Sequence, residues 1–196
     1  MSFKNCLARW REKAGNIRRI NVIIGIAAGL LLIFLGAAVL IFSGKNIGSE
    51  IAAGQVQTLS ENIRRYYQNR PDFWGLNTQT VIDKQMAPRN MSPNGKLANY
   101  FGKPVTVGSG EDGAMLMPGA RNFVISFHNL NHQECVETAS FKFSEKFWLG
   151  VTEVSINNGT KTEVFSWNNQ QNILPVKKNL AEKTCGNSNI VSWHFN

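Results

Sequence analysis

The feature that most constrains this chain is an apolar segment, Val22–Phe42, which contains no charged residue and none more polar than glycine. As a helix rising about 1.5 Å per residue it is about 30 Å long, the thickness of a bilayer's hydrocarbon core. A secretory signal peptide usually has an apolar core of about 7 to 15 residues that ends at an Ala-x-Ala-like site. Here the core is longer and runs into Gly44-Lys45. We therefore predict an uncleaved membrane anchor at about residues 22–43, rather than a signal peptide or a buried helix of a soluble protein.

The residues before this segment are strongly basic. Residues 1–19 have a net charge of +5, from Lys4, Arg9, Arg11, Lys13, Arg18 and Arg19 against Glu12. Positively charged flanks remain in the cytoplasm, so we expect the large C-terminal part to be exported to the periplasm. The whole chain has a net charge of +8, which leaves +3 for everything after residue 19. A mildly basic exported domain gives no reason to expect a nucleic-acid partner.

The exported part has about 150 residues, enough for one domain with a modest core. Its many Asn, Ser, Thr and Gly residues favour sheet and loops over a helical bundle. Cys6 lies in the cytoplasmic leader, whereas Cys135 and Cys185 lie where disulfides form. A bridge between Cys135 and Cys185 closes a loop of about 50 residues and contributes about 4 kcal/mol in the chain-entropy model. Two free buried thiols are the alternative.

A helical pattern continues beyond the apolar segment. Apolar residues recur at multiples of four in Ile47, Ile51, Leu59 and Ile63, with polar residues mainly on the other faces. This predicts one helix from about residue 20 to residue 68, which ends before Pro71 because proline cannot continue the hydrogen-bond ladder. Its first half is apolar on all sides, and its second half is amphipathic. We therefore expect the second half to pack on a globular domain.

The rest of the exported part contains strand signals and one clear helix signal. Asn131-x-x-Glu134 has the form of a capping box, which places Cys135 in the first turn of a helix. Residues 88–103 are rich in Asn, Pro and Gly and are predicted to be a loop, with Leu97, Tyr100 and Phe101 as anchors into the core. Five segments have strand composition or alternation: 104–107, 123–127, 147–156, 160–167 and 190–195. The sequence therefore predicts an α+β fold, in which the long N-terminal helix packs on an antiparallel sheet with one inserted helix.

Residues typical of catalysis or metal binding are sparse. His128, His132 and Cys135 have a spacing that suits zinc on one helix, but His128 precedes the predicted N-cap and a closed site needs a fourth ligand. The sequence has no GxSxG nucleophile motif and no glycine-rich phosphate loop before a helix. We therefore expect a protein that is not an enzyme, with no catalytic residues, no metal and no cofactor.

Three features of the chain match one known family. They are a basic leader ending in Gly15, a hydrophobic segment that continues into an amphipathic helix, and a C-terminal cysteine pair that encloses a sheet region. With them the chain resembles the type IV pilins, and among these the type IVb pilins of the thin-pilus and toxin-coregulated kind. The similarity to thin-pilus pilins is greatest in residues 97–107, in 123–127 leading into Cys135-Val136, and in 185–195.

The resemblance implies how the chain is processed and divided. A membrane-embedded prepilin peptidase would cut after Gly15, so that the mature chain starts at Asn16. The chain would then have three parts: the leader at 1–15, the long N-terminal helix at 16–68, and a globular pilin head at 69–196.

The resemblance also gives the hydrophobic half of the helix a second role. This half would leave the inner membrane at the pilus assembly platform and pack against other pilin subunits in a filament core. The small residues Gly25, Gly29 and Gly36 permit close approach of such helices. Related pilins usually carry a glutamate five residues after the cleavage glycine, where this chain has Ile20 preceded by Arg18-Arg19. This difference fits a minor or tip subunit, a different processing site, or the positive flank of a permanent anchor.

The leading hypothesis is therefore a structural subunit, major or minor, of a type IVb pilus. It would reside first in the inner membrane and then in an extracellular fibre that serves adhesion, aggregation or conjugative contact. The alternative is a single-span membrane protein whose periplasmic domain binds a partner and which is neither processed nor assembled.

Overall fold

The computed structural model describes residues 47–110, 119–148 and 150–196. These residues belong to one compact unit, Ile47–Asn196. No helix within them is both long enough and apolar enough to cross a membrane. The expectations for the leader 1–15 and the membrane span 22–43 lie outside the described residues. The same holds for the residues assigned to processing and to helix packing, Gly15, Asn16, Ile20, Gly25, Gly29 and Gly36.

The described residues form five α-helices, two short 3₁₀ turns and five strands. The helices are α1 (47–67), α2 (Thr78–Asp83), α3 (His132–Ala139), α4 (Glu145–Trp148) and α5 (Lys178–Thr184). The 3₁₀ turns are Arg89–Met91 and Pro93–Gly95. The strands are β1 (Val105–Ser109), β2 (Phe123–Leu130), β3 (Val151–Asn157), β4 (Thr162–Ser166) and β5 (Asn189–Phe195).

The strands form one antiparallel sheet in the order β1-β2-β5-β3-β4. The last strand of the chain lies at its centre, because β5 pairs with β2 on one side and with β3 on the other. Trp193 of β5 lies opposite both Ile125 and Val154, and all three side chains are fully buried. The α+β class predicted from the sequence, with a helix inserted between antiparallel strands, is confirmed.

Helix α1 contributes one face to the core of this unit. Val56, Leu59 and Ile63 are fully buried in the same hydrophobic cluster as Trp193 of the sheet. The apolar periodicity therefore predicted the packing of this half of the helix correctly. Its first member is an exception, because Ile47 is exposed.

One helix start agrees with its sequence signal, and a second has a similar side-chain cap. The side chain of Asn131 accepts a hydrogen bond from the backbone N–H of Glu134, and the Glu134 carboxylate accepts one from the backbone N–H of Asn131. This reciprocal capping box satisfies two backbone donors that a helix start otherwise leaves unpaired. Asn77 caps α2 by accepting a hydrogen bond from the backbone N–H of Thr80.

Three expectations from the sequence were wrong in detail. The segment 147–156, predicted as one strand, divides into α4 and β3, because the Ser144 carbonyl accepts from the N–H groups of Phe147 and Trp148 and starts a helical turn. The segment before Cys185, for which no helix was predicted, contains α5, which has too few apolar residues to give a periodic signal. Tyr100, expected as a core anchor, is 51% exposed.

The outer edge of the sheet at β4 is covered by the loop that follows it. The Asn169 side chain donates to the Val164 carbonyl, and the Ser166 N–H donates to the Asn172 carbonyl. The Asn172 side chain also donates to the Glu163 carboxylate. Hydrogen bonds from Lys161 and from Asn172 lower the pKa of Glu163. These contacts occupy strand-edge groups that an added strand would need.

Candidate functional site

A disulfide joins Cys135 in the first turn of α3 to Cys185 at the end of α5, with an S–S distance of 2.04 Å. The bond spans 50 positions of sequence. A second contact lies beside it, where Nδ1 of His132 is 2.9 Å from the carbonyl oxygen of Cys185. The two cysteines singled out in the sequence are therefore bonded to each other, and the bond ties α3 to the segment that leads into β5.

A buried asparagine continues this junction into the sheet. Asn189, at the start of β5, is fully buried. Its amide nitrogen donates to the carbonyls of Leu130 at 3.0 Å and Gly186 at 2.9 Å, and its side-chain oxygen accepts from the Gly186 N–H at 2.6 Å. Every polar atom of this side chain thus has a partner, which is what a buried amide requires.

The turn between β3 and β4 is held to the same junction. The side-chain nitrogen of Asn158 donates to the Thr184 carbonyl at 2.8 Å. Its side-chain oxygen accepts from the backbone N–H groups of Thr160 and Lys161, both at 3.0 Å. The disulfide, Asn189 and Asn158 therefore connect α3, α5 and three strands at one end of the sheet. We call this set of contacts the disulfide junction.

At the other end of the sheet, Arg64 of α1 binds the ends of two strands. Its guanidinium donates to the Gly150 carbonyl at 2.7 Å and to the Asn196 carbonyl at 3.1 Å, and it lies 5.3 Å from the centre of the Phe195 ring. Burial lowers the pKa of Arg64 from its ordinary value, although an arginine remains protonated at neutral pH. Sequence periodicity gave no sign of this contact, since the helical pattern places Arg64 outside the apolar stripe.

Gly150 makes the Arg64 contact possible. A Cβ atom at position 150 would overlap the guanidinium. We expect Gly150→Ala to expel Arg64 and to lower the free energy of unfolding by about 1–3 kcal/mol, because two strand-end carbonyls lose a charged donor. Urea unfolding of the purified full-length chain in detergent measures the change.

Gly54→Ala is the matched control, because residue 54 is an exposed position of α1 with no atom within 4 Å of an added Cβ. This control is expected to raise the free energy of unfolding by about 0.5–1 kcal/mol, through the higher helix propensity of alanine. Equal effects of the two substitutions would contradict the role given to Gly150.

The loop between α2 and β1 is anchored on α1. The Asn62 side chain donates to the Met86 carbonyl at 2.8 Å, and the buried Gln55 side chain accepts from the Tyr100 N–H at 2.7 Å. A Cβ at Gly48 would lie 3.1 Å from the Tyr100 ring. The loop is therefore fixed along the length of the helix, with the Tyr100 ring at the surface.

Two aromatic features lie at the surface on opposite edges of the sheet. Trp74, between α1 and α2, is 58% exposed. Across the sheet, beside β3 and β4, a cavity of about 540 Å³ is lined by Glu145, Trp148, Trp167 and Pro175. Neither feature was predicted from the sequence, because composition alone does not distinguish exposed from buried tryptophan.

The side chains whose spacing suited zinc have other partners. Cys135 is in the disulfide, His132 contacts the Cys185 carbonyl, and Nε2 of His128 is 2.7 Å from the hydroxyl of Thr106. In the part of the chain that the structure describes, no three His, Cys, Asp or Glu side chains are grouped so as to hold a metal ion. The geometry therefore offers no metal centre among residues 47–110, 119–148 and 150–196.

One serine, histidine and glutamate set lies close together on the outer face of the sheet. Nε2 of His194 is 3.4 Å from the Ser155 hydroxyl and 3.6 Å from a carboxylate oxygen of Glu153. A catalytic triad needs the base to contact the nucleophile and the acid through different ring nitrogens. Here both neighbours contact the same nitrogen, so this set does not have the geometry of a triad.

His128 makes stability depend on pH. Burial lowers the pKa of its imidazole below the ordinary value of about 6.5, so the unfolded chain binds a proton more readily than the folded one. The stability that neutral His128 contributes is therefore complete above a pH of about 6.5 and decreases as the pH falls below it. We expect His128→Gln to reduce the loss of Tm between pH 7.5 and pH 5.5, measured by thermal unfolding. An identical pH dependence in the variant would contradict this assignment.

Comparison with known proteins identifies the family. The Bundlin family model matches residues 43–187, which include α1, both cysteines of the disulfide and four of the five strands. The chain belongs to the Bundlin family. The resemblance to type IVb pilins that the sequence indicated is therefore confirmed. Members of this family are structural rather than enzymatic, and this Bundlin-family chain is a structural subunit of an extracellular pilus, assembled with other pilin subunits.

One solved pilin structure shares the fold of this Bundlin-family chain. The type IVb pilin from Salmonella typhi is 16% identical and has a TM-score of 0.51, with 74% of this chain and 97% of that chain covered. TcpA, a type IV pilin from Vibrio cholerae El Tor biotype, is 12% identical and has a TM-score of 0.49, with coverage of 76% and 99%. The search of curated protein sequences finds no match.

Proposed function

We propose that the chain is a pilin that polymerises through its N-terminal hydrophobic helix and that the resulting fibre serves adhesion, aggregation or conjugative contact. The observation that carries the proposal is the buried face of α1, the helix that follows the apolar segment 22–43 in the sequence. The buried face of α1 contains Val56, Leu59 and Ile63. One helix over both segments, as the sequence predicts, would pack on the head through α1 and leave its apolar half to bind lipid first and other subunits later.

Processing is the first step of this proposal. A prepilin peptidase cuts after Gly15, and the chain 16–196 then enters the fibre from the inner membrane through the assembly platform. The leader 1–15, the helix 16–68 and the head 69–196 are the parts this route requires. Removal of the leader suits this route, because it takes away Lys4, Arg9, Arg11 and Lys13, and charged groups are costly in an apolar filament core. Arg18 and Arg19 remain in the mature chain.

The head domain suits a role on the outside of a fibre. The disulfide junction links helices and strands at one end of the sheet, and Arg64 binds strand ends at the other. The β4 edge is covered by its own loop, so the subunits are not expected to assemble by adding strands to one another at that edge. Polymerisation through helices leaves the head free to present a surface.

Fibre composition tests this proposal. Fibres are sheared from cells that express the chain with a type IVb assembly system, and the fibre and membrane fractions are analysed by mass spectrometry. We expect the chain in the fibre fraction of normal cells and only in the membrane fraction of cells without the assembly platform. A chain that stays in the membrane fraction of both cell types would favour the alternative, a single-span periplasmic interaction protein.

A further inference from the structure

We propose that, before assembly, the head domain contacts the periplasmic leaflet of the inner membrane through the loop 96–103, with the Tyr100 ring among the lipid headgroups. The inference rests on the proposed function, because it needs a chain that is held in the membrane by its apolar segment 22–43 before it enters a fibre. It deepens that function by naming the surface of the head that the membrane covers at this stage.

Two exposed apolar side chains lie where α1 begins. Ile47 is 50% exposed and Tyr100 is 51% exposed. A Cβ atom at Gly48 would lie 3.1 Å from the Tyr100 ring and 3.3 Å from the Phe101 ring. The loop therefore packs against the first turn of α1, and Tyr100 lies close to the point where the apolar segment leads into the described helix.

The loop presents Tyr100 from a fixed backbone. The buried side chain of Gln55 accepts a hydrogen bond from the Tyr100 N–H at 2.7 Å. The buried Asn99 side chain accepts from the N–H groups of Phe101 and Lys103, both at 3.0 Å. Because this backbone is already ordered, little conformational entropy is lost when the ring enters a membrane surface.

The length of chain between Phe42 and Gly48 places a membrane surface next to this loop. Gly48 is six residues beyond Phe42, the last residue of the apolar segment. In the single helix that the sequence predicts, these residues rise about 9 Å. The headgroup layer extends about 5–7.5 Å beyond the hydrocarbon on each side of a bilayer. We therefore expect the Tyr100 ring, which packs against Gly48, at the outer margin of that layer.

The side chains of the loop suit lipid headgroups. Tyrosine is enriched at membrane interfaces, because its ring is apolar and its hydroxyl is polar. Lys96 and Lys103 lie on either side of Tyr100 in the sequence, and residues 96–103 contain no acidic side chain. A lysine at an interface covers apolar surface with its stem while its ammonium group reaches the phosphates.

The opposite side of α1 has an acidic side chain. Glu50 is exposed and lies two residues after Gly48, about 200° around the helix axis, so it faces away from the loop. Membrane helices are tilted by about 20° on average from the bilayer normal. A tilt toward the loop brings Tyr100 into the headgroup layer and moves the Glu50 carboxylate away from the lipid phosphates. The charges therefore favour this direction of tilt over the opposite one.

Fluorescence quenching in nanodiscs tests the contact with the full-length chain. Tyr100→Cys, Glu50→Cys and Ile33→Cys are made separately in a Cys6→Ser background, so that each variant has one free thiol besides the disulfide. Each is labelled with a nitrobenzoxadiazole fluorophore and reconstituted at one copy per nanodisc of phosphatidylethanolamine and phosphatidylglycerol. The quencher is a lipid with a nitroxide on its headgroup or, for position 33, in its acyl chain.

Position 50 is the matched control, because it lies at nearly the same height on α1 as Gly48 but on the other side. Attachment to the anchor alone would quench positions 100 and 50 equally. We expect headgroup quenching at position 100 to exceed that at position 50 by about twofold or more, because the loop side of the head enters the headgroup layer.

A second labelling position keeps Tyr100 in place. Lys96→Cys labels the same loop at an exposed residue. Adding Tyr100→Asp to this variant places a charge where the ring should enter the headgroups, and we expect the quenching at position 96 to decrease by about twofold. Quenching at position 96 that is unaffected by Tyr100→Asp would overturn the role given to Tyr100.

The remaining outcomes separate this inference from the proposed function. Equal quenching at positions 100 and 50 would overturn the membrane contact and leave the proposed function intact. A change in fluorescence at position 100 that occurs only with several copies per nanodisc would assign the surface to a second copy, and would overturn the membrane contact as well. Absence of acyl-chain quenching at position 33 would remove the membrane anchor and overturn both.

Discussion

Replacing both Cys135 and Cys185 with serine is expected to lower the free energy of unfolding by about 4 kcal/mol. The estimate follows from the 50 positions that the bond spans, because an open chain of that length gains loop entropy when it unfolds. The part of the fold that is destabilised is the disulfide junction, where α3, α5 and the start of β5 meet. Urea unfolding and limited proteolysis of the purified chain in detergent measure it.

The matched control for the disulfide, in the unprocessed full-length chain, is Cys6→Ser, which removes a cysteine outside this bond. Cleavage in the double variant should begin within 131–189, since the Asn189 and Asn158 hydrogen bonds alone must then hold the junction. An unchanged urea midpoint together with an unchanged proteolytic pattern would contradict a stabilising role for the bond.

Leu59→Ala is expected to lower the free energy of unfolding by about 2–5 kcal/mol. Leu59 is fully buried where α1 joins the core, and its truncation removes apolar contacts and leaves a cavity. The same substitution should lower the amount of chain in sheared fibres, because a head that detaches from α1 exposes both core faces.

Thr58→Ala is the control on the same helix, at an exposed neighbouring position. A surface substitution of this kind should change the free energy of unfolding by no more than about 0.5 kcal/mol. If Leu59→Ala and Thr58→Ala have equal effects in urea unfolding, α1 does not pack on the sheet as described.

The features that the sequence predicted correctly are those with a local signal. The Asn131–Glu134 capping box, the alternation that marks β5 and the periodicity of α1 each follow from contacts within one element or one face. The cysteine pair could be singled out because export and spacing restrict the choices. These signals were sufficient for the fold class and for the family resemblance.

The features that the sequence did not predict depend on contacts between distant segments. The interaction of Arg64 with Gly150 joins positions 86 apart in sequence, and a lone arginine and a lone glycine carry no pattern. The short helix α4 depends on Ser144 and on aromatic packing around Phe143, not on periodicity. The cavity beside Trp167 exists only once β3 and β4 are placed. Such features arise from tertiary packing, which outweighs local propensity.

The intact mass of the chain isolated from sheared fibres tests whether it is a processed and assembled pilin. We expect the mass of residues 16–196 with one disulfide, and the full-length mass, confined to membranes, in cells that lack prepilin peptidase. Ile20 makes the result informative, since related pilins usually have glutamate at this place. A chain that still begins at Met1 in peptidase-competent cells, and that is absent from the fibres, would show that the protein is neither processed nor assembled as a pilin.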